Sequence, residues 1–251
     1  MDIETLTSRK NAIITHLRAL ASDGAYRREQ GEYLCDGMKL LQEAVSSGAE
    51  IRTVLWCGER PDMAMSEAVR HYAAPRDLFD YVSPMKNSPG PVFTVSLPAC
   101  DTGRPFRRAV VLENVQDPGN VGTVIRTAAA FEVDAVILCG ACADVFSPKV
   151  VRASMGAIFR QRILYADVSE LRSLAEANSL ALYAAALSDT AADVRSLDLK
   201  RAIVAIGSEG QGLSRELLNV CSGQLIIPMA PDSESLNAAV AASVVMWEMR
   251  R

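Results

Sequence analysis

A polar turn followed by an arginine-bearing helix is the first segment of this sequence whose residue types suggest chemistry. An apolar run ends at Val115, the turn Asp117-Pro-Gly-Asn120 follows, and a helix is predicted from Val121. Asn120 has a simple structural explanation, because asparagine is a favoured helix N-cap. Arg126, in the second predicted turn, is harder to explain, since a cation there opposes the helix dipole and its side chain leans back toward the N-terminus. Unless Arg126 is an ordinary solvated side chain, the pattern places a guanidinium beside Asn120.

A second polar segment is the glycine-rich stretch GSEGQGLS, residues 207 to 214, in which three glycines surround Glu209. Glycine permits backbone conformations and close ligand approach that other residues resist. The stretch lacks the lysine and hydroxyl residue of a phosphate-binding loop, and it does not match the dinucleotide fingerprint. It is therefore either a simple turn or a loop that cradles a different ligand.

The third polar segment, APDSESLN, offers Ser233, Ser235 and Asn237 ahead of a helix rich in alanine and valine. Only one of these side chains can be the N-cap of that helix, so at least two polar groups are left over. A few polar side chains among backbone amides and carbonyls are typical of small-molecule pockets.

All three segments follow predicted strands, AVVLENV, AIVAIG and QLIIPM, in a stretch where short apolar strands alternate with helices. This alternation predicts an α/β fold with a parallel sheet covered on both faces. Ligands usually bind at the carboxyl ends of such strands. The three polar loops are therefore expected at one ligand-binding edge of the sheet.

The preceding residues predict a smaller α/β domain, with helices at 12–22, 38–48 and 63–74 and strands at YLCDG and IRTVLWC. A stretch rich in Pro, Gly and charge, without apolar periodicity, separates this part from the parallel-sheet part. We therefore expect a first domain over residues 1–98, a linker over 99–107 and a second domain over 108–251.

Composition narrows the function classes. The hydrophobic share is 49%, but no window approaches the roughly 18 consecutive apolar residues of a membrane span, and the N-terminus lacks a secretory-signal layout. The six dispersed cysteines favour reduced thiols, so we expect a cytoplasmic protein without a membrane partner. A net charge of −4 argues only weakly against RNA binding, because a local basic patch is sufficient.

One cysteine pair, Cys139 and Cys142, has the C-x-x-C spacing of redox and zinc sites. The only histidines, His16 and His71, lie in the other half of the chain, so a zinc site lacks ligands and a histidine base is missing from the second domain. We expect incidental thiols and no metal. A redox protein that uses the pair is the alternative.

Three segments in this order, ENVQDPGNVGTVIRTAAAF, AIVAIGSEGQGLS and IIPMAPDSESLNAAVAA, resemble the SpoU (TrmH-type) RNA ribose 2'-O-methyltransferases of the SPOUT superfamily. VVRASMGAIFR lies between the first two, and YRREQGEYLCDGMKLLQEAV is similar to the substrate-binding domain of the rRNA-modifying branch. The resemblance implies a C-terminal deep trefoil knot that holds S-adenosylmethionine at Gly207, Ile227 and Leu236. It also implies a homodimer with both chains contributing to the site.

For catalysis and substrate placement, the resemblance implies roles for Asn120, Arg126, Glu209, Ser235 and Asn237. The expected reaction is attack of a ribose 2'-hydroxyl on a methyl group, which needs positioning more than a metal. Arg126 is the family's proposed proton acceptor or organiser, although a guanidinium normally stays protonated. Orienting the ribose and its phosphate is the alternative role.

The implied partner is RNA, with 23S rRNA favoured over tRNA as the substrate. Candidate phosphate contacts in the first domain are Arg27, Arg28 and Lys39, each of which has an ordinary surface explanation. The segment SPMKNSPGPVFTV follows the family pattern only loosely. An RNA-binding or ribosome-assembly protein without catalysis is the alternative from another class.

Overall fold

The computed structural model describes residues 3–58, 61, 63–99, 103–188, 190–230 and 235–251, so that Ser233 lies outside the described residues. Contacts divide the chain into two compact units. The first unit combines residues 1–99 with residues 144–159, and the second combines residues 100–143 with residues 160–251. The domain boundaries at residues 98 and 108 stay predictions.

The helices and strands alternate along most of the chain. The described elements up to residue 99 are β1 (Glu4–Thr5), α1 (Ala12–Ser22), α2 (Gly24–Gln30), β2 (Glu32–Asp36), α3 (Met38–Ser46), β3 (Ile51–Trp56), β4 (Arg70–Ala73), α4 (Arg76–Val82) and β5 (Val92–Ser96). Those that follow are β6 (Arg108–Glu113), α5 (Pro118–Ala130), β7 (Ala135–Cys139), α6 (Pro148–Ala153), β8 (Ile163–Tyr165), α7 (Val168–Asn178), β9 (Ala181–Ala185), β10 (Ala192–Asp193), β11 (Ala202–Ile206), α8 (Arg215–Val220), β12 (Gly223–Ile226) and α9 (Ala238–Arg250).

The first unit is built on a mixed sheet with the strand order β1-β4-β3-β5-β2. Helix α1, predicted from the apolar spacing, buries Ile14, Leu17 and Leu20 in the core of this unit. Its first turn is capped by Asn11, whose side chain accepts a hydrogen bond from the Ile13 amide at 2.8 Å. The short helix α6 also packs against β2, so a segment from the middle of the chain completes this unit.

The helix predicted over residues 63–74 is wrong, because residues 70–73 form the strand β4. This strand pairs in parallel with β3, with His71 opposite Val54 and Tyr72 opposite Leu55. A strand that gains a full ladder of backbone hydrogen bonds overrides a modest local helix preference. The prediction also missed helix α4 and strand β5.

The second unit contains a sheet whose described strands are all parallel, in the order β10-β12-β9-β11-β6-β7-β8. The central strands β6, β11 and β7 are almost wholly buried, as expected for a sheet covered on both faces. The predicted α/β class with a parallel sheet is confirmed. The deep trefoil knot stays a prediction.

Helix α5 begins at Pro118 and not at the predicted Val121. Asp117 is its N-cap, because the Asp117 Oδ1 accepts a hydrogen bond from the Asn120 amide at 2.8 Å. Proline at the first helical position fits this start, since its missing N–H has no partner to lose there. The Asn120 side chain is therefore not the cap, and Arg126 lies in the third turn. None of the described helices combines the length and the apolar character needed to cross a membrane.

Candidate active site

Three polar side chains from the predicted loops meet in one hydrogen-bonded cluster. The Nδ2 of Asn120 donates to the Oε1 of Glu209 at 2.8 Å, and the Nδ2 of Asn237 donates to the same oxygen at 2.5 Å. The Asn237 Nδ2 also lies 3.0 Å from the Asn120 Oδ1, which accepts from it. Glu209 and Asn237, which follow Asn120 in the chain by about 90 and by 117 positions, are thus brought to it at one edge of the sheet.

Helix α9 orients this cluster through its N-terminus. The Oδ1 of Asn237 caps the helix by accepting from the amides of Ala239 and Val240, at 3.0 and 3.3 Å. The first amide of the helix, that of Ala238, donates to the Glu209 Oε1 at 3.3 Å. A carboxylate is favoured at the positive end of a helix. The Oε1 of Glu209 is therefore occupied by three donors, and within the described part of the chain Oε2 has no hydrogen-bond partner.

The glycine-rich loop folds tightly back on itself, which explains two of its glycines. The Gly212 amide donates to the Ser208 carbonyl at 2.8 Å, and Gly212 adopts a left-handed conformation with φ of 65°. A Cβ at position 207 would lie 2.2 Å from the Gly212 carbonyl carbon, so only glycine fits there. The backbone of Gly207 is consequently held in one place beside the end of β11.

A buried carboxylate that the sequence interpretation missed holds the other end of this loop. Glu113, the last residue of β6, is buried, and its two oxygens accept from the Ser214 amide at 2.7 Å and from the Ser214 hydroxyl at 2.6 Å. The same hydroxyl accepts from the Leu217 amide at 3.1 Å and so caps α8. Glu113 could have been noticed in the sequence, because it is a carboxylate that directly follows an apolar run at the end of a predicted strand.

A cavity of about 340 Å³ lies beside the loop, within the range that small-molecule pockets occupy. Its walls include all three residues assigned to cofactor binding, Gly207, Ile227 and Leu236, together with Ser235 and Glu209. The remaining walls are mainly apolar side chains, among them Leu187, Leu213, Leu225 and Met229. Apolar walls beside a fixed backbone segment suit an aromatic base, and the polar cluster stands at one side of the cavity.

Two predicted catalytic residues form no hydrogen bond with this cluster within the described part of the chain: Ser235, which lines the cavity, and Arg126. The Arg126 side chain is exposed on α5, and among the described residues no hydrogen bond or ion pair holds it. Residue 126 lies six positions after Asn120, which places it on a different face of the helix and about 9 Å along the axis. The predicted position of the Arg126 guanidinium beside Asn120 and its role in catalysis stay predictions.

The two cysteines of the C-x-x-C pair are free thiols. Burial raises the pKa of the Cys139 thiol to about 11, and burial also raises the pKa of Cys142, whose Sγ donates to the Leu112 carbonyl at 3.1 Å. Thiols with raised pKa values are poor nucleophiles and metal ligands at neutral pH. Within the described ranges, no cluster of three or more His, Cys, Asp or Glu residues could hold a metal ion.

The basic residues proposed for RNA contact in the first unit have different environments. Arg27 is buried, and its guanidinium donates to the Asp144 carboxylate at 2.6 and 3.2 Å and to the Leu20 carbonyl at 2.5 Å. Its prediction as a phosphate contact is therefore wrong, because its charge is already neutralised inside the unit. Arg28 and Lys39 are exposed.

Two family profiles match the sequence. The profile of the SpoU rRNA Methylase family matches residues 107–247, which include every residue of the polar cluster and of the cavity described above. The chain belongs to this family. A second profile, the MRM3-like substrate binding domain, matches residues 11–92 in the first unit.

Similar proteins extend over the whole chain. A protein named as an uncharacterised tRNA/rRNA methyltransferase from Synechocystis is 35% identical, over 100% of this chain and 94% of its own length. The 23S rRNA (uridine(2479)-2'-O)-methyltransferase of Streptomyces viridochromogenes is 31% identical, over 98% of this chain and 91% of its own length. The crystal structure of an AdoMet-bound rRNA methyltransferase from Sinorhizobium meliloti has a TM-score of 0.88, with 27% identity, and covers 99% of this chain and 97% of that one.

Family membership confirms the predicted enzyme class. The chain is an RNA methyltransferase, and its cofactor is S-adenosylmethionine. The roles of the individual site residues, the homodimer and the cytoplasmic location stay predictions.

Proposed function

We propose that this protein transfers a methyl group from S-adenosylmethionine to a ribose 2'-hydroxyl of 23S rRNA. The observation that supports this most directly is the cluster of Asn120, Glu209 and Asn237 beside an apolar cavity, with a carboxylate oxygen left over. The 23S rRNA assignment rests on the relative from Streptomyces, which is similar along nearly the whole chain.

The cavity residues suit the cofactor. Gly207 offers its backbone without a side chain in the way, and Ile227 and Leu236 add apolar walls for the adenine ring. When bound, S-adenosylmethionine supplies a methyl group carried by a positively charged sulfur. Glu113 contributes indirectly, since its bonds to Ser214 keep the cavity loop in position.

The chain has to orient the ribose hydroxyl and take up its proton as the new O–C bond forms. We assign the proton to the Glu209 Oε2, because Oε1 is already occupied by Asn120, Asn237 and the Ala238 amide. Those donors hold the carboxylate in one orientation. A proton acceptor that is already oriented toward the reacting hydroxyl accelerates the reaction. Asn120, Asn237 and Ser235 position the ribose.

Arg126 takes the orienting role and not that of the base, because a guanidinium has no lone pair to accept a proton. Its charge is exposed and forms no ion pair with the residues that the structure describes, so it is available for the phosphate next to the target ribose. Since one chain leaves Arg126 outside the cluster, we propose that it completes the site in a homodimer.

A face of helices α5 and α9 supports this dimer. Trp247 is 54% exposed and Val240 is 48% exposed, one full heptad apart on α9, and the Trp247 ring packs edge-on against Phe131 at the end of α5. Two large apolar side chains on one helix face indicate a covered surface. Light scattering should give twice the chain mass, and Trp247→Glu should give monomers, whereas Tyr165→Glu, on another exposed aromatic residue, should not.

The reaction is tested with the purified protein, radiolabelled S-adenosylmethionine and, in separate tubes, unmodified 23S rRNA, 16S rRNA and bulk tRNA. We expect label at a single ribose of 23S rRNA, mapped as a 2'-O-methyl site. Label on tRNA alone would replace the proposed substrate. Label on a base in place of a ribose would contradict the proposed reaction.

A further inference from the structure

The first unit carries two arginines against one tyrosine ring. The guanidinium carbon of Arg18, on α1, lies 4.1 Å from the centroid of the Tyr81 ring, and that of Arg9 lies 4.6 Å from it. The Arg18 Nη1 also donates to the Tyr81 carbonyl oxygen at 2.6 Å. Two like charges therefore lie against one ring, which attracts cations through its π faces but does not cancel their charge.

These two arginines differ from the paired arginines of the same unit. Arg27 is neutralised by Asp144, Arg52 lies 3.7 Å from Glu32, and Arg76 pairs with Asp80 at 2.5 Å. By contrast, Arg9 and Arg18 are exposed, and in the described part of the chain no carboxylate lies within ion-pair distance of either. Two guanidiniums without a neighbouring carboxylate repel each other, and a bound anion would offset this repulsion.

A third cation and a helix end add to this positive surface. Lys10 follows Arg9 directly, is exposed and forms no ion pair with the described residues. Helix α1 begins at Ala12, immediately after them, so its positive end lies next to Arg9 and Lys10. Arginine forks on a helix end are well suited to phosphate oxygens, and guanidinium planes can also stack on unpaired RNA bases.

We propose that Arg9, Lys10, Arg18 and Tyr81, here called the arginine–tyrosine patch, bind the sugar-phosphate backbone of the RNA substrate. The inference rests on the proposed function, because it takes the substrate to be rRNA. The sequence pattern suggested Arg27 as an RNA contact of the first unit, but Arg27 is buried. The arginine–tyrosine patch replaces it as the proposed contact. Arg18 and Tyr81 lie within the segment that matches the substrate-binding profile.

The test compares RNA binding by the full-length protein and three variants, using fluorescence anisotropy with a labelled 23S rRNA fragment over a range of salt concentrations. The double variant Arg9→Ala/Arg18→Ala removes both charges, and Arg9→Lys/Arg18→Lys keeps them. Arg172→Ala, an exposed arginine of the second unit that pairs with Glu176, is the matched control for loss of surface charge.

We expect the double alanine variant to bind RNA on the order of tenfold to a hundredfold more weakly and its salt slope to fall by about 1 for each lost phosphate contact. The double lysine variant should keep the slope, and Arg172→Ala should match the wild type. S-adenosylmethionine affinity should not change, and the melting temperature of the double alanine variant should fall by a few degrees at most, because Arg18 loses its contacts with Tyr81. An unchanged slope in the alanine variant, or an equal loss in Arg172→Ala, would overturn the proposal.

Binding is measured without methyl transfer, so this result can be interpreted independently of the reaction. If wild-type protein labels no ribose but the patch variants still lose RNA affinity, the proposed function fails and the patch remains. If methylation of 23S rRNA proceeds with an unchanged KM for RNA in the double alanine variant, the patch fails and the proposed function remains.

Discussion

The buried Arg27 and Glu32 of the first unit are paired with side chains of the same unit, whereas the buried Glu113 of the second unit holds a loop beside a cavity. Arg27 pairs with Asp144, and Glu32 accepts from His16 at 3.1 Å. Among the described residues, Glu113 of the second unit has no cationic partner, and it holds Ser214 instead. A buried charge that is neutralised by a neighbour stabilises a fold at best modestly, while one that fixes a loop can fix what the loop binds.

The pKa of Glu32 shows how the first unit achieves this matching. Burial alone would raise that pKa, but the hydrogen bond from His16 and the charges of His16 and Arg52 act against burial, and the pKa lies below its ordinary value. The carboxylate therefore stays ionised and contributes stability above the pKa of the unfolded chain, which is lost as the pH falls through the lower folded value. The first unit uses Glu32 for stability, and we expect the second to use Glu113 and Glu209 for function.

Replacing the exposed carboxylate of the cluster should have the largest effect on activity. In Glu209→Gln the amide oxygen can still accept from Asn120 and Asn237, but no oxygen remains to take the ribose proton. We expect single-turnover methyl transfer to slow by roughly 10² to 10⁴ with an unchanged melting temperature. Glu216→Gln, at another exposed glutamate of the same unit, is the control. Full activity in Glu209→Gln would remove this residue as the proton acceptor.

In the first unit we expect a loss of stability without a loss of activity. Arg27→Ala leaves the Asp144 carboxylate and the Leu20 carbonyl without their donor, which should lower the free energy of unfolding by about 3 kcal/mol. Urea unfolding measures this loss. The rate of methyl transfer under folding conditions should stay within about twofold of the wild type, because the charge is not at the site. A stable variant with impaired RNA binding would show instead that Arg27 contacts RNA.

A smaller but more specific effect is expected from Glu113→Gln. The substituted amide offers one acceptor to two Ser214 donors and brings its own donor to them, so the loop should shift. We expect the dissociation constant for S-adenosylmethionine to rise about tenfold in calorimetry, while RNA affinity stays the same. Ser214→Thr keeps the hydroxyl and should behave nearly as the wild type. Equal losses of cofactor and RNA affinity would indicate a general folding defect.

The smallest effect is expected at the cysteines. Cys139→Ser should leave methyl transfer within about twofold of the wild type, because the thiol takes no part in the reaction. Alkylation of Cys139 should be slow at neutral pH and accelerate as the pH rises toward about 11, where burial has placed its pKa. Fast alkylation at neutral pH, with loss of activity, would revive the redox interpretation.

Much of the second unit was predictable from local patterns. Its longer strands are short apolar runs and its helices have polar and apolar faces, so their order from β6 to α9 was read correctly except for the short strands β8 and β10, which were missed. Asn120, Glu209 and Asn237 were found because polar residues at the ends of buried strands are unusual. The first unit was harder, since β4 is held by pairing with β3 and has no strong local signal of its own.

Sequence alone determined the α/β class, the three loops and the family, because strand periodicity and the order of the motifs are properties of the chain itself. The folded structure was needed to show that Glu113 holds Ser214, and that Arg27 is buried while Arg9 and Arg18 share a tyrosine ring. These outcomes depend on residues that are distant in the chain. The energy of a charge is set by the partners that folding brings to it, and local sequence does not specify those partners.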